Sequence, residues 1–224
     1  MENEKEFMRR VCSALEHRFG KRTGLKPEPD AMDLLVQTIL SQNTSDRNSE
    51  PAFDELKRCF PEWELVLQAP EKEVARAIHR SGFYNLKAKR VKEALAEIKR
   101  RRGELNIDFL ARESVAEGMN FLTSLKGVGP KTAAVVLAFA FNKPLLAVDV
   151  HVYRVARRLG IVPKKFSREK AQEKLNAVVS DSHKLSCHLN LIELGRTVCR
   201  PRKPFCSKCP LKRLCAFARR RGFA

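Results

Sequence analysis

The stretch LKGVGPKTAAVVLAFAFNKPLLAVD, residues 125–149, decides the fold of this chain. It contains the turn Gly127-Val128-Gly129, followed by Pro130 and a run of apolar helix formers. Glycine permits positive φ and close backbone approach, and proline suits the first position of a helix. The stretch therefore predicts a hairpin that leads directly into a helix. Because the first N–H groups of a helix have no partner within it, Gly127, Val128 and Gly129 are candidate contacts for a phosphate.

Lys131 lies in the first turn of the predicted helix, where the helix dipole disfavours a second positive charge. The dipole effect is only ~0.3 to 1 kcal/mol, which is too small to leave an amine uncharged at neutral pH. Burial would have to supply most of the effect. Without burial, Lys131 is expected to be a solvated lysine that binds phosphate as a point charge.

Asp149 follows Lys131 by eighteen residues and lies just before an arginine-rich helical segment from His151 to Gly160. An aspartate at that position is expected to cap the helix by accepting backbone N–H bonds. An ionised carboxylate near a neutral lysine can also stabilise a developing cation. Lys131 and Asp149 together therefore predict a reactive amine assisted by a carboxylate.

The composition indicates a polyanionic partner. Forty-four Lys and Arg residues against 26 Asp and Glu residues give a formal net charge of +18, spread along all 224 residues. Nucleic acid is the partner that such a charge favours first. A membrane is not expected, because no apolar segment is long enough to span one and no lipidation motif is present. The N-terminal sequence has no signal-peptide core, so we expect a cytoplasmic, nucleoid-associated protein.

Helical periodicity runs through most of the chain. Apolar residues at helical spacing predict one helix from Glu4 to Phe19 and a second helix capped by Asp30. The same spacing recurs in later segments, and only the short segment 146–152 hints at strand-like alternation. The chain is therefore predicted to be all-α.

Two turns between predicted helices carry further candidate residues. The polar segment Ser41-Gln42-Asn43-Thr44 follows a very apolar helix, and its simplest role is to end that helix and cap the next one. Phe83 follows Gly82 in a second turn, where a lone phenylalanine is commonly a core residue. Because apolar side chains can also unstack base steps of DNA, both roles stay open for Phe83.

Four cysteines near the C-terminal end predict a metal site. Cys199, Cys206, Cys209 and Cys215 are separated by six, two and five residues. Thiolates so close in sequence would repel one another unless a metal neutralised them. Structural zinc and a [4Fe-4S] cluster are both compatible with four cysteines. The other three cysteines, Cys12, Cys59 and Cys187, are expected to be buried thiols.

The pairing of LKGVGPKTA with AVDVHVYR resembles the endonuclease III family of helix-hairpin-helix (HhH-GPD) DNA glycosylases and AP lyases. The family motif has a lysine after Gly-Val-Gly-x and an aspartate eighteen residues later, and Lys131 and Asp149 match these positions. The resemblance implies that Lys131 attacks the sugar C1′ of a flipped-out nucleotide, while Asp149 assists departure of the base. Superfamily members that only remove the base lack the lysine, so Lys131 predicts an added strand-cutting lyase activity.

The cysteine spacing extends the resemblance. Cys-x6-Cys-x2-Cys-x5-Cys, preceded by Gly195 in a Gly-Arg-x-x-Cys pattern, matches the family's cluster loop and implies a [4Fe-4S] cluster, with zinc as the minor alternative. The family also contacts DNA through the turns described above. Its glutamine, which replaces the flipped base, aligns with Asn43, with Gln42 beside it, and its wedging leucine aligns with Phe83. His151 is a further expected DNA contact.

The resemblance implies two helical lobes with a DNA-binding cleft between them. One lobe is expected to span residues 31–140, with the helix-hairpin-helix at about 113–140. The other would combine residues 1–30 with 141–224 and carry the cluster loop at 199–215. Lys131 and Asp149 would face each other across the cleft. The expected partner is double-stranded DNA with a damaged base or an abasic site, bound by a monomer.

Two other interpretations stay open. In the first, the protein is a non-catalytic DNA-binding helix-hairpin-helix protein, with Lys131 a mere charge and Asp149 a mere cap. In the second, it is a mismatch-specific thymine or uracil DNA glycosylase, because Gln42, Asn43 and Val150 depart from the family pattern. Removal of oxidised pyrimidines is what the resemblance implies. An adenine-specific relative is not expected, since no further domain follows the cysteines in this sequence.

Overall fold

A computed structural model describes residues 3–23 and 29–223, and the regular structure within these residues is entirely helical. The all-α prediction is thus confirmed. The α-helices, in chain order, are α1 Glu4–Phe19, α2 Ala31–Leu40, α3 Asp46–Cys59, α4 Trp63–Gln68, α5 Glu71–Ala77, α6 Tyr84–Arg102, α7 Val115–Ser124, α8 Pro130–Ala140, α9 Val150–Leu159, α10 Arg168–Val178, α11 Asp181–Thr197 and α12 Ala216–Arg219. Three short 3-10 helices are also present: His79–Ser81, Asp108–Ala111 and Cys206–Lys208.

The chain divides into two compact units. The terminal unit comprises the described residues of Met1–Gly24 and of Pro144–Ala224, and therefore contains α1 and α9 to α12. The central unit comprises the described residues of Leu25–Lys143 and contains α2 to α8. Lys131 lies in the central unit, while Asp149 and the four cysteines of the predicted metal site lie in the terminal unit.

Helix α1 has the predicted bounds and anchors the core of the terminal unit. The side chain of Asn3 caps it by accepting a hydrogen bond from the N–H of Lys5, and Gly20 follows its last residue with φ +87°. Its buried side packs against α11 and α10. The buried residues of α1 are Met8, Val11, Cys12 and Leu15.

Helix α8 is the buried helix of the central unit. Its sequence is apolar on nearly all sides, so the helix is enclosed, with α2 and α7 packed against it. Gly118 of α7 allows close approach, because a Cβ at that position would lie 2.8 Å from Cδ2 of Leu137 in α8. This packing fixes the axis of α8 and hence the position of its first turn.

Two sequence expectations are wrong in detail. Cys59 is exposed rather than buried, because it is the last residue of α3 and lies beside the exposed pair of Glu55 and Arg58. The segment 146–152 is not a strand: its backbone stays irregular up to Asp149, and α9 then begins at Val150. Within the described residues, we find no helix whose length and apolar content would let it cross a membrane.

Candidate active site

The hairpin before α8 has the predicted geometry. The N–H of Val128 donates to the carbonyl oxygen of Leu125 at 3.0 Å, and Gly127 has φ +85°. Gly129 precedes the helix and offers no side chain to cap it, while Pro130 takes the first helical position. The N–H groups in the first turn of α8 are therefore not capped by a side chain and can donate to an external anion.

Lys131 is exposed in the first turn of α8. The protein does not bury this side chain. Lys131 is exposed because it lies at the N-terminal end of α8, just before the part of the helix that the protein encloses. A bound substrate would have to exclude water from the amine.

The side chain of Gln42 is held by the protein. Its Nε2 donates to the carbonyl oxygen of Gly127 at 2.9 Å and lies 3.4 Å from Oγ1 of Thr132. Its Oε1 accepts a hydrogen bond from Nη1 of Arg90 at 2.9 Å. Both ends of the amide are thus engaged. Gln42 therefore ties the end of α2 to the hairpin and to α6, rather than presenting its amide to an external ligand.

Gly127 is required by two independent features of this arrangement. Its φ of +85° is unfavourable for any residue with a Cβ, and a Cβ here would lie 2.7 Å from Cγ and from Cδ of Arg90. The aliphatic part of Arg90 thus packs directly on the hairpin. A larger residue at position 127 would displace Arg90 and disturb its bond to Gln42.

We therefore expect Gly127→Ala to destabilise the protein by about 2 to 3 kcal/mol, from the left-handed backbone and the displaced Arg90. Gly129→Ala is the matched control, because Gly129 has φ −92° and a Cβ added there would meet no heavy atom of a non-adjacent residue within 4 Å. Its expected loss is about 1 kcal/mol or less. Chemical unfolding of the DNA-free variants measures both. Equal losses would contradict the packing described here.

Asn43 and Phe83 share an unusual backbone conformation. They have φ of +55° and +50°, the left-handed region that non-glycine residues seldom adopt. Both side chains are exposed, that of Phe83 by 67%. Of the two roles left open for Phe83, the structure excludes burial in the core, because this conformation at the start of α6 turns its ring outward into solvent.

Lys87 is a buried residue that the sequence did not single out. Its side chain is only 2% exposed, and its Nζ donates to the carbonyl oxygens of Leu40 at 2.6 Å and Ser81 at 2.7 Å. Burial lowers the pKa of Lys87 to about 8, and the charge of Arg90 acts in the same direction. In the sequence, Lys87 was one of many basic residues on α6, and nothing marked it as buried.

In the terminal unit, Asp149 caps α9 as predicted: its Oδ1 accepts a hydrogen bond from the N–H of Val152 at 2.7 Å. Polar side chains of α10 and α11 hold the irregular segment that leads to it, and no pattern in the sequence marked them. The N–H of Val148 donates to Oε1 of Gln172 at 3.0 Å. The side chain of Asn176 accepts from the N–H of Leu146 at 2.9 Å and donates to the carbonyl oxygen of Leu146 at 2.8 Å. Nδ1 of His188 lies 2.9 Å from the carbonyl oxygen of Ala147. The position of Asp149 is therefore fixed on both sides.

His151 lies in the first turn of α9 and is half-buried against α11. Its Nδ1 is 3.1 Å from Nη2 of Arg154, which also donates to the carbonyl oxygen of Gly195 at 2.8 Å. A Cβ at Gly195 would lie 2.8 Å from Cβ of His151. This glycine of the Gly-Arg-x-x-Cys pattern therefore allows α11 to approach α9 closely.

Helix α9 also anchors the cysteine segment. Arg154 donates to the carbonyl oxygen of Cys199 at 2.9 Å, and Arg158 donates to Sγ of Cys199 at 3.3 Å. Arg158 donates further to the carbonyl oxygens of Arg200 and Pro201, while the thiol of Cys215 donates to the carbonyl oxygen of Arg158 at 3.3 Å. The helix that begins at Val150, directly after Asp149, thus holds both ends of the segment 199–215.

The donor set of this segment suits a metal that prefers sulfur ligands. Burial raises the pKa of Cys209 to about 11, and the charges of the other three cysteines act in the same direction. A hydrogen bond from the backbone N–H of Leu211 acts in the opposite direction and lowers this pKa. Cys209 therefore lies near the other three cysteines. In the described part of the chain, however, no three Cys, His, Asp or Glu side chains are arranged to hold a metal ion.

Comparison with known proteins gives consistent matches. The family described as HhH-GPD superfamily base excision DNA repair protein matches residues 36–181. Endonuclease III of Thermotoga maritima is 35% identical over 195 residues, which are 87% of each chain. A longer Arabidopsis thaliana relative is 37% identical over 182 residues, 81% of this chain and 59% of that protein. A solved endonuclease III, trapped as a covalent intermediate with DNA, has a TM-score of 0.82 and 26% identity, covering 99% of this chain and 100% of that one.

Proposed function

Because this chain belongs to the HhH-GPD superfamily of base excision DNA repair proteins, within its endonuclease III family, we propose how its residues carry out the reaction. The protein is a DNA glycosylase with AP lyase activity, and the predictions of family and enzyme class are confirmed. We propose that it removes damaged pyrimidines, oxidised ones first, from double-stranded DNA. It would act as a monomer in the cytoplasm, at the nucleoid.

The observation that carries the residue assignment is the position of Lys131. It lies exposed in the first turn of α8, directly after a glycine hairpin whose N–H groups can hold a backbone phosphate. A nucleotide whose phosphate is bound there would have its sugar near the amine. Extrusion of that nucleotide is least costly for a damaged or mispaired base, which supplies part of the selectivity.

In the proposed reaction, the ammonium group of Lys131 first gives a proton to water, and the nitrogen then forms a bond to C1′ as the bond from C1′ to the base breaks. The electron pair leaves with the base, and the carboxylate of Asp149 offsets the positive charge on the sugar. Opening of the sugar ring and loss of the amine proton give a Schiff base. Loss of the C2′ proton then permits β-elimination of the 3′ phosphate, which cuts the strand.

Asn43 and Phe83, both exposed and with positive φ, are the side chains that we propose enter the duplex. Asn43, rather than Gln42, would occupy the place of the extruded base, because the amide of Gln42 is engaged by Gly127 and Arg90. Phe83 would wedge into the opposite side of the base step. His151 remains a proposed contact to the DNA backbone, at the start of α9.

The segment 199–215 is the proposed cofactor site. Cys199, Cys206, Cys209 and Cys215 would hold a [4Fe-4S] cluster, which would stabilise this part of the chain as a rigid, basic loop. Purified protein is expected to contain iron and acid-labile sulfide, both measurable by elemental and colorimetric analysis. Stoichiometric zinc without sulfide would instead support the zinc alternative.

A panel of duplexes, each with one modified site, tests the proposed specificity. We expect base release from duplexes with thymine glycol or 5-hydroxycytosine, and weaker release from G·T or G·U mismatches. An abasic duplex should be cleaved, because it needs only the lyase step. Release from mismatches alone would favour the mismatch glycosylase, while tight binding with no release or cleavage would favour the non-catalytic interpretation.

A further inference from the structure

Lys87 joins two turns that are far apart in sequence. Its Nζ donates to the carbonyl oxygen of Leu40, which is 47 residues away, and to that of Ser81, which is 6 residues away. Leu40 is the last residue of α2, and Ser81 is the last residue of a 3-10 helix. A positive charge suits such positions, because the terminal carbonyls of a helix have no partner within it.

Each of these carbonyls immediately precedes a segment that the proposed function places in the DNA. The chain after Leu40 runs through Gln42 to Asn43, and the chain after Ser81 runs through Gly82 to Phe83. Both segments end in an exposed residue with positive φ. Such conformations are strained and persist only where the surroundings hold them. The buried contact of Lys87 lies at the base of both turns, where it can supply that restraint.

We propose that Lys87 is a positioning residue that fixes the Asn43 turn and the Phe83 turn relative to each other, so that their side chains enter the duplex as one rigid pair. The inference rests on the proposed function, since it assigns a role to residues that would fill and wedge the DNA. Lys87 contacts no reacting atom, and it acts through the backbone of the two turns.

Lys92 makes the same kind of hydrogen bonds to terminal carbonyls at a place that has no proposed contact with DNA. It lies five residues further along α6, and its Nζ donates to the carbonyl oxygens of Val66, Leu67 and Ala69 at the end of α4. None of the proposed DNA contacts lies in that segment. Lys92 is therefore a matched control: a lysine of the same helix that binds the terminal carbonyls of another helix and is likewise partly desolvated.

The test compares Lys87→Met with Lys92→Met on two substrates at saturating protein. The first is a duplex with one damaged base, which must be extruded. The second is a single-stranded abasic oligonucleotide, which needs no extrusion. For Lys87→Met we expect the single-turnover rate on the duplex to fall by about 10- to 100-fold, as for other misplaced positioning groups. Cleavage of the single strand should change less than threefold, and Lys92→Met should leave both rates near those of the wild type.

A double-mutant cycle with Phe83→Ala isolates the proposed link. If Lys87 acts by positioning the Phe83 turn, then Lys87→Met should slow duplex excision much less in a Phe83→Ala background than in the wild type. Additive losses would overturn the proposal. So would equal losses of Lys87→Met on the two substrates, which would indicate a general loss of structure.

Lys87→Gln serves if Lys87→Met does not fold, because a glutamine retains an N–H donor for one of the two carbonyls. It should show the same substrate difference with a smaller loss. If both variants fail to fold where Lys92→Met folds, the proposal is overturned, since Lys87 would then serve the core as a whole. Wild-type protein that processes neither substrate would instead overturn the proposed function.

Discussion

Replacing Lys131 with alanine should abolish strand cleavage at an abasic site, and with it the covalent protein–DNA adduct that borohydride traps in the wild type. The amine is the proposed nucleophile that would form the Schiff base, so the substitution removes the reacting group of that step. We expect a loss of at least about a thousandfold in the single-turnover cleavage rate, the scale seen when a nucleophile is removed. A denaturing gel after borohydride reduction measures both effects.

The Lys131→Ala variant should still bind DNA although it no longer cleaves the strand. The hairpin N–H groups that are proposed to hold the phosphate remain, so affinity for an abasic duplex is expected to fall by no more than about tenfold. Lys126→Ala is the matched control, since Lys126 is an exposed lysine of the same hairpin that pairs with Glu93. It should retain trapping. Trapped adduct with Lys131→Ala at the wild-type level would refute the nucleophile assignment.

Asp149→Asn should slow release of a damaged base by about a hundredfold, while affinity for the same duplex changes little. The carboxylate is proposed to offset the positive charge that develops on the sugar, and this charge exists only in the transition state. Asparagine keeps a side-chain oxygen for the N–H of Val152, so the cap of α9 should be retained. The measurement is base release under single-turnover conditions, together with a binding isotherm.

Asp30→Asn is the control for the cap itself. Asp30 accepts a hydrogen bond from the N–H of Asp33 at 2.8 Å and caps α2, as Asp149 caps α9. Asp30 has no part in the proposed chemistry, so Asp30→Asn should leave the rate of base release unchanged. If Asp149→Asn slows base release and also lowers the unfolding midpoint of the protein, the slower release would be explained by loss of the cap, and Asp149 would act only as a cap.

Local features of the site followed directly from the sequence. Gly127, Gly129 and Pro130 specify a hairpin and a helix start through their own backbone preferences, and the structure has both. The caps at Asp30 and Asp149 followed for the same reason, because a cap bonds to N–H groups within three residues of itself. The four cysteines were recognisable as a group because they lie within 17 residues of sequence, 199–215.

Other features depended on partners that are distant along the chain. Nothing local distinguishes Lys87 from its basic neighbours on α6, and only packing against α2 and the 3-10 helix makes it buried. Gln42 was a predicted DNA contact, but the structure brings Arg90 and Gly127 to its amide. The reactivity of Lys131 was expected to require burial, but its side chain is exposed, because the enclosed part of α8 begins only at the next residue.

The sequence by itself therefore determined the helices, the hairpin and the helix caps, because these depend on backbone preferences and short spacings within a few adjacent residues. The class of protein, and the residues proposed for the chemistry, came from the resemblance of its motifs to the endonuclease III family. Only the tertiary structure decided which polar side chains hold turns together and which remain exposed for a ligand. That outcome is set by contacts between residues distant in sequence, 47 to 85 positions apart for the bonds of Lys87 to Leu40 and of Gln42 to Arg90 and Gly127, and these hydrogen bonds exist only once the helices have packed.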